Sequence, residues 1–372
     1  MVTDSAGVEI ITSTKPAWPG DGGWTLAASP SLVIGDTAGS PNEEFTHIRR
    51  VFTLPGGLIA AVNQSRPPQI RIFDAAGQWV RSVGDAGGGP GEFRFIWDAW
   101  LAPPDTLVTF DAGLSRITVF GPDGDVRDMI TFEQAGSAGL SAIPWDRFAD
   151  GTFIMRRNRF VPEGTSGSGR SRAPVLRVNA HGQVVDTLGT FPDMDYITMP
   201  SGAPNMLRYG GISVQTVIGD RYYRGMGDDF TIDEYDATGR HLRSLRRNFE
   251  PRPVTDDLLD RIRALELDTV AEGRREFLER DWAERPHAAT FRAYDANWIA
   301  DAAGNLWVPA FVTPFEDTTE WTVFDTDGRW LGTVAMPSAF RPEEIGTDYV
   351  LGVWKDEFDV ETIRRYSLNG KR

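Results

Sequence analysis

The residues able to do chemistry are few, and they fall at one kind of place. When the sequence is aligned on its repeated turns, His47, Arg49, Arg50, Trp97, Asp98, Trp145, Asp146, Asp295 and Asn297 come at the starts of the innermost strands. Carboxylates, an amide and a histidine gathered at one mouth offer the oxygen-rich set that Ca²⁺ takes. Asp98, Asp146, Asp295 and Asn297 are the members of the set that would hold such a metal. The competing chemistry is ion pairing. Converging carboxylates repel, and a cation, an arginine or a proton must relieve them. Arg49 and Arg50 are permanently charged and fork-shaped, so a pair such as Arg50 with Asp98 is favoured, and no cofactor is then required.

Other catalytic signals are thin. The four histidines, His47, His181, His241 and His287, are scattered, with His181 in a turn and His241 opening an outer strand. There is no nucleophile elbow and no zinc-protease helix motif. The glycines at 87–91 precede a strand and lack a following helix and lysine, so they read as a turn and not as a phosphate cradle. The chain has no cysteine, which removes disulfides, thiolate zinc sites and cysteine nucleophiles. Trp79, Trp307 and Trp330 sit in strand patterns and are expected in the core. Trp97, Trp100 and Trp145 near the mouth suit a glycan or peptide surface.

The elements that position these residues come from a repeat. An apolar residue, three turn formers and a glycine recur at Phe73–Gly77, Phe120–Gly124, Val178–Gly182, Tyr235–Gly239, Phe324–Gly328 and Tyr366–Gly370. Asp or Asn opens such a turn and Gly supplies its positive φ. Alternating strands flank each copy, as in 69–73 and 79–83, and a second hairpin precedes it. Four strands per unit and six units predict an all-β, six-bladed β-propeller over residues 1–372 as one domain. The last copy ends two residues before the terminus, so its outer strand must come from elsewhere. Leu32-Val33-Ile34-Gly35-Asp36 parallels Ser82-Val83-Gly84-Asp85, so this N-terminal strand is expected to close the ring and hide its edges.

Spacing between turn glycines is 42 to 58 residues except for 89 between Gly239 and Gly328. A helical insertion over 254–287, between blades four and five, accounts for the excess. Leu258, Leu259, Ile262 and Leu265 share a helical face, Thr255 is placed to cap, and Asp256 and Asp257 occupy the first turn. Phe277, Leu278 and Trp282 give a second helix its apolar side. The connections that begin at Arg157 and Gly189, reaching Ala173 and Gly211, are expected to be long loops. With the insertion, they would load one face of the ring.

The remaining composition limits the partners. Thirty-eight basic against 53 acidic residues leave a net charge of −15, which repels phosphate backbones, so nucleic acid is disfavoured. No apolar run is long enough for a transmembrane segment. The opening Met1–Ser5 lacks the basic and apolar parts of a signal peptide, so the chain is either cytoplasmic or begins after a removed signal.

Gly88-Gly89-Pro90-Gly91-Glu92-Phe93, with Ile72-Phe73-Asp74 before it, resembles the signature of bacterial six-bladed β-propellers with NHL-like repeats. Asp301 to Val308 resembles the inner hairpin of that family, and Asp4-Ser5-Ala6-Gly7-Val8 its mature start. Blades three and four lack the Gly-Pro-Gly-Glu-Phe run. The resemblance implies export, periplasmic or lipoprotein-anchored, and assigns no activity. Six-bladed lactone hydrolases are similar in outline, yet their metal set of a Glu, two Asn and an Asp finds no match here. The expectation is a monomeric, non-enzymatic scaffold that binds a protein, peptide or glycan on the long-loop face. The alternative is a Ca²⁺-assisted hydrolase or lyase.

Overall fold

The computed structural model describes residues 1–19, 22–35, 40–102, 105–133, 143–156 and 167–370. Among them the strands make six sheets. The first runs Ile48–Thr53, Ile59–Asn63, Gln69–Phe73, Trp79–Val83, each strand antiparallel to the next. The second is Ile96–Ala102, Thr106–Asp111, Arg116–Phe120, Val126–Thr131. The third is Asp146–Arg147, Phe153–Arg156, Ser168–Val178, Val184–Thr198, Pro204–Met206. The fourth begins Val214–Ile218, Arg221–Gly225, Thr231–Asp236, His241–Arg247. The fifth is Ile299–Ala300, Leu306–Pro309, Thr318–Phe324, Trp330–Pro337. Phe340–Ile345, Tyr349–Lys355 and Glu361–Asn369 start the sixth.

Sheets need a partner for each apolar face, and here each finds it in the next sheet. The buried side chains fall into clusters at the boundaries. Val62, Ile72 and Val83 of the first sheet pack on Ile96, Leu107 and Phe120 of the second. Trp100 and Ile117 of the second meet Phe153 and Val178 of the third. Ile154 and Leu188 meet Tyr222 and Tyr235 of the fourth, and Phe230 and Ile232 of the fourth meet Leu306 and Phe324 of the fifth. Trp307 and Val323 pack on Val350 and Tyr366 of the sixth. Leu351 and Ile363 of the sixth then pack on Ile48 and Phe73 of the first, which closes the sequence of layers.

The N-terminus covers two sheet edges. Leu32–Ile34 pairs antiparallel with Glu361–Asn369, Ile34 opposite Ile363, as the repeat predicts. Thr25–Leu26 joins the same strand. A second use of the N-terminus has no counterpart in the repeat. Val2–Ser5 and Val8–Ser13 form a hairpin that adds in parallel to the outer edge of the fourth sheet, Ile11 beside Leu245.

Helix α1, Asp256–Thr269, starts at Thr255, whose hydroxyl accepts from the Leu258 N–H at 3.4 Å. It buries Leu259 and Ile262. Helix α2, Glu272–Glu284, buries no residue fully; of its expected apolar side Leu278 and Trp282 are half-buried and Phe277 is exposed. The pair is tied down at its far end: Arg208 donates to Asp281 at 2.7 Å and stacks on Trp282 at 3.6 Å.

Two expectations need correction. Much of the stretches read as loops, 168–173 and 189–198, lies in one extended hairpin of the third sheet. Ladder bonds use the backbone, so small polar residues can join them, and register shifts at Arg170/Arg172 and Val175/Leu176 absorb the irregularity. Residues 157–166 of the first loop, and the turn prolines Pro103 and Pro104, lie outside the described residues. Trp79, at the start of the outermost strand of its sheet, is 42 % exposed, while Trp307 is fully buried.

Candidate functional site

The first strands of neighbouring sheets lie beside one another, those of the fifth, sixth, first and second in succession. Three of them carry a β-bulge. In Ile48–Thr53, Ile48 faces Asn63 and Arg50 faces Val62, which leaves Arg49 as the extra residue. In Ile96–Ala102 the extra residue is Trp97, and in Phe340–Ile345 it is Glu343. A bulge breaks the strict alternation of side chains and leaves one backbone unit outside the ladder. Both consequences shape the site.

Broken alternation lets two consecutive arginines serve one carboxylate. Arg50 donates to Asp98 through Nε to Oδ1 at 2.8 Å and Nη2 to Oδ2 at 3.3 Å. Arg49 Nη2 reaches Asp98 Oδ2 at 2.6 Å. Arg50 Nη1 also donates to Glu343 at 3.3 Å, and Arg341 pairs with the other oxygen of Glu343. The carboxylates are buried, with side-chain exposures of 1 % for Asp98 and 0 % for Glu343, while those of Arg49 and Arg341 are 36 % and 39 %.

The freed backbone groups are taken by side chains of the adjacent sheet. Asn297 Nδ2 donates to the Pro342 carbonyl at 2.9 Å. Arg341 donates to the Ile48 carbonyl at 2.6 Å and to that of Arg49 at 3.4 Å. Arg49 Nε donates to the Trp97 carbonyl at 2.9 Å, and Gln64 reaches the same oxygen at 3.4 Å. A relay thus runs from the fifth sheet through the sixth and first to the second. Asp146 makes a similar link between the third and fourth, accepting from Val217 N–H at 2.7 Å and the Thr216 hydroxyl at 3.1 Å.

Burial and charge pull the acids apart. Burial alone would raise the Asp98 pKa, but Arg50 and Arg49 outweigh it and hold the carboxyl below its ordinary value. Burial also opposes the charge of Arg50, and Asp98 and Glu343 more than compensate, so Arg50 stays firmly protonated. Asp146 goes the other way. Its burial wins over the hydrogen bonds from Val217 and Arg147 and over the more distant Arg50, and its pKa is raised.

The remaining predicted residues are placed differently. Trp97 is half-buried with Arg49 5.9 Å above its ring, and Trp145 is 41 % exposed. Trp100 is core, edge-on to Phe153. His47 is exposed. Asp295 pairs with Arg292 at 2.9 Å, outside the relay. His241 is half-buried and stacks on Tyr235. Arg341, Glu343 and Gln64 are absent from the sequence reading. Pro342-Glu343-Glu344 argues against a strand, since Pro and Glu are depleted there. Counting two strands back from the Tyr366–Gly370 repeat reaches Phe340–Ile345 and would have found Arg341 and Glu343.

No family model matches the chain, and no curated protein matches it. Solved structures do. A Bacteroides fragilis protein predicted to be exported superposes with a TM-score of 0.52 at 12 % identity, covering 98 % of this chain and all (100 %) of that one. A DUF4221 family member from Bacteroides vulgatus gives 0.51 at 10 %, covering 94 % and 99 %. Six sheets, each packed on the next and the sixth on the first, make the fold a β-propeller. In it the relay stitches together the inner strands, and the guanidinium groups of Arg49 and Arg341 form its solvent side. Among the described residues of the propeller no three His, Asp or Glu side chains are grouped to hold a metal ion.

Proposed function

We propose that the chain is a single six-bladed propeller over residues 1–372, carrying the 254–287 helical insertion between blades four and five, and that it is a monomeric, non-enzymatic binding scaffold. Its working surface on this reading is the mouth formed by Arg49, Arg50, Trp97, Asp98, Trp145, Asp146 and Asn297, with His47 and Asp295 at the rim and the long connections around it. One observation carries the reading: two carboxylates at the mouth, Asp98 and Glu343, are already paired with arginines, Asp146 is taken by Val217 and Thr216, and these bonds cross sheet boundaries. Carboxylates engaged in this way are poor metal ligands, because an incoming cation must displace fixed guanidinium groups. The chemistry left at the surface is cationic and aromatic, which suits recognition. An exported setting is carried over from the likeness to the Bacteroides fragilis protein.

The test is thermal unfolding in a strong chelator and in excess Ca²⁺, with a panel of lactones and esters assayed in parallel. The scaffold reading expects one melting temperature under both conditions and no turnover. A fall of several degrees in chelator that Ca²⁺ restores, with ester hydrolysis, would establish the metal-assisted hydrolase, since a ligand bound only to the folded state stabilises it by mass action.

A further inference from the structure

We infer that the mouth binds a carboxylate side chain of an acidic peptide segment, with Arg49 as the receiving group; this rests on the scaffold reading above. Arg49 is the extra residue of its bulge, and bulges recur where a strand must re-aim a side chain. Its Nε is fixed by the Trp97 carbonyl, one terminal nitrogen by Asp98, and the flat of the group by the Trp97 ring. Among the described residues its other terminal nitrogen has no partner, and the side chain is 36 % exposed. A guanidinium held on three sides with one donor left outward is pre-organised for an anion.

Charge points the same way. Arg49 and Arg341 are the exposed members of the cluster, while the carboxylates they pair with, Asp98 and Glu343, are buried beneath them, so cationic groups face solvent on a chain of net charge −15. Beside it lies an apolar shelf: Phe95, 41 % exposed, stands 6.2 Å from the Trp97 ring. A ligand with a carboxylate next to an apolar group matches both. A sugar acid is less well served. Its hydroxyls need acceptors as well as donors, yet Asp98 and Glu343 are engaged by arginines.

The experiment is calorimetric titration of the full chain with a capped peptide of alternating Glu and Leu, its Gln and Leu counterpart, and tri-galacturonate. The Glu peptide should bind at low salt and weaken as salt screens the pair. The Gln peptide should bind about tenfold more weakly or worse, the scale of one hydrogen bond to a charged group. Arg49→Gln should cost a similar factor. Phe95→Ala, at an exposed position, should weaken the Glu peptide without changing the melting temperature. Equal binding of the two peptides, or wild-type binding by both variants, would overturn the inference. So would binding of tri-galacturonate alone. None of these outcomes touches the scaffold reading, which falls instead on chelator-dependent melting with ester turnover.

Discussion

Arg50 grips Asp98 with two parallel hydrogen bonds, Nε to Oδ1 at 2.8 Å and Nη2 to Oδ2 at 3.3 Å, across the boundary between two sheets. The carboxylate is buried and its second oxygen is shared with Arg49. Removing one partner therefore leaves uncompensated charge in the interior. Breaking such a pair costs about 3–5 kcal/mol. Asp98→Ala should lose about that much in urea unfolding, and Arg50→Ala should also destabilise. A loss below about 1 kcal/mol for Asp98→Ala would mean that the pair behaves as a surface one.

Asp98 and Asp146 should leave opposite marks on stability against pH. The Asp98 pKa is depressed in the folded state. Its contribution is then complete above about pH 4, the unfolded value, and is lost as pH falls through the folded one. The Asp146 pKa is raised. Folding favours its protonated form, so its contribution is largest below about pH 4 and declines as pH rises through the folded pKa. Unfolding free energies between pH 2 and 7 should show a flatter acid limb for Asp98→Asn. Asp146→Asn should remove a decline that starts above pH 4.

Two deletions separate the two uses of the N-terminus. Removing residues 1–14 strips the hairpin from the fourth sheet, while removing 1–35 also takes Leu32–Ile34 from Glu361–Asn369. An uncovered edge offers unpaired backbone groups to other chains. The longer deletion should aggregate or oligomerise in size-exclusion chromatography and the shorter one should do so less. A longer deletion that stays monomeric with an unchanged melting temperature would show that ring closure does not depend on this strand.

The insertion should be anchored through α1. Ile262, 3 % exposed, is buried by that helix, and Thr255 caps it. Ile262→Ala should cost about 2–4 kcal/mol and Thr255→Ala about 1 kcal/mol. Leu265→Ala, at a 38 % exposed position, should cost far less. Equal losses at Ile262 and Leu265 would place the buried face elsewhere.

Local rules made much of the architecture legible. Turns such as Phe73–Gly77 need a positive φ at their glycine, and Gly77 and Gly124 have φ of 85° and 81°. Period-two strands, the Thr255 cap and the match of Leu32–Ile34 to an outer strand follow from the same short-range chemistry. Tertiary structure decided the rest. Whether Gly- and Ser-containing residues 168–173 loop or pair depends on a partner strand, which local composition does not specify. The parallel docking of Val8–Ser13 on His241–Arg247 joins segments more than 200 residues apart with no repeat to announce it. The bulges at Arg49, Trp97 and Glu343 set the site. Strict alternation would send Arg49 and Arg50 to opposite faces. Only the mismatch in length between paired strands turns both toward Asp98, and that mismatch exists once the strands have met.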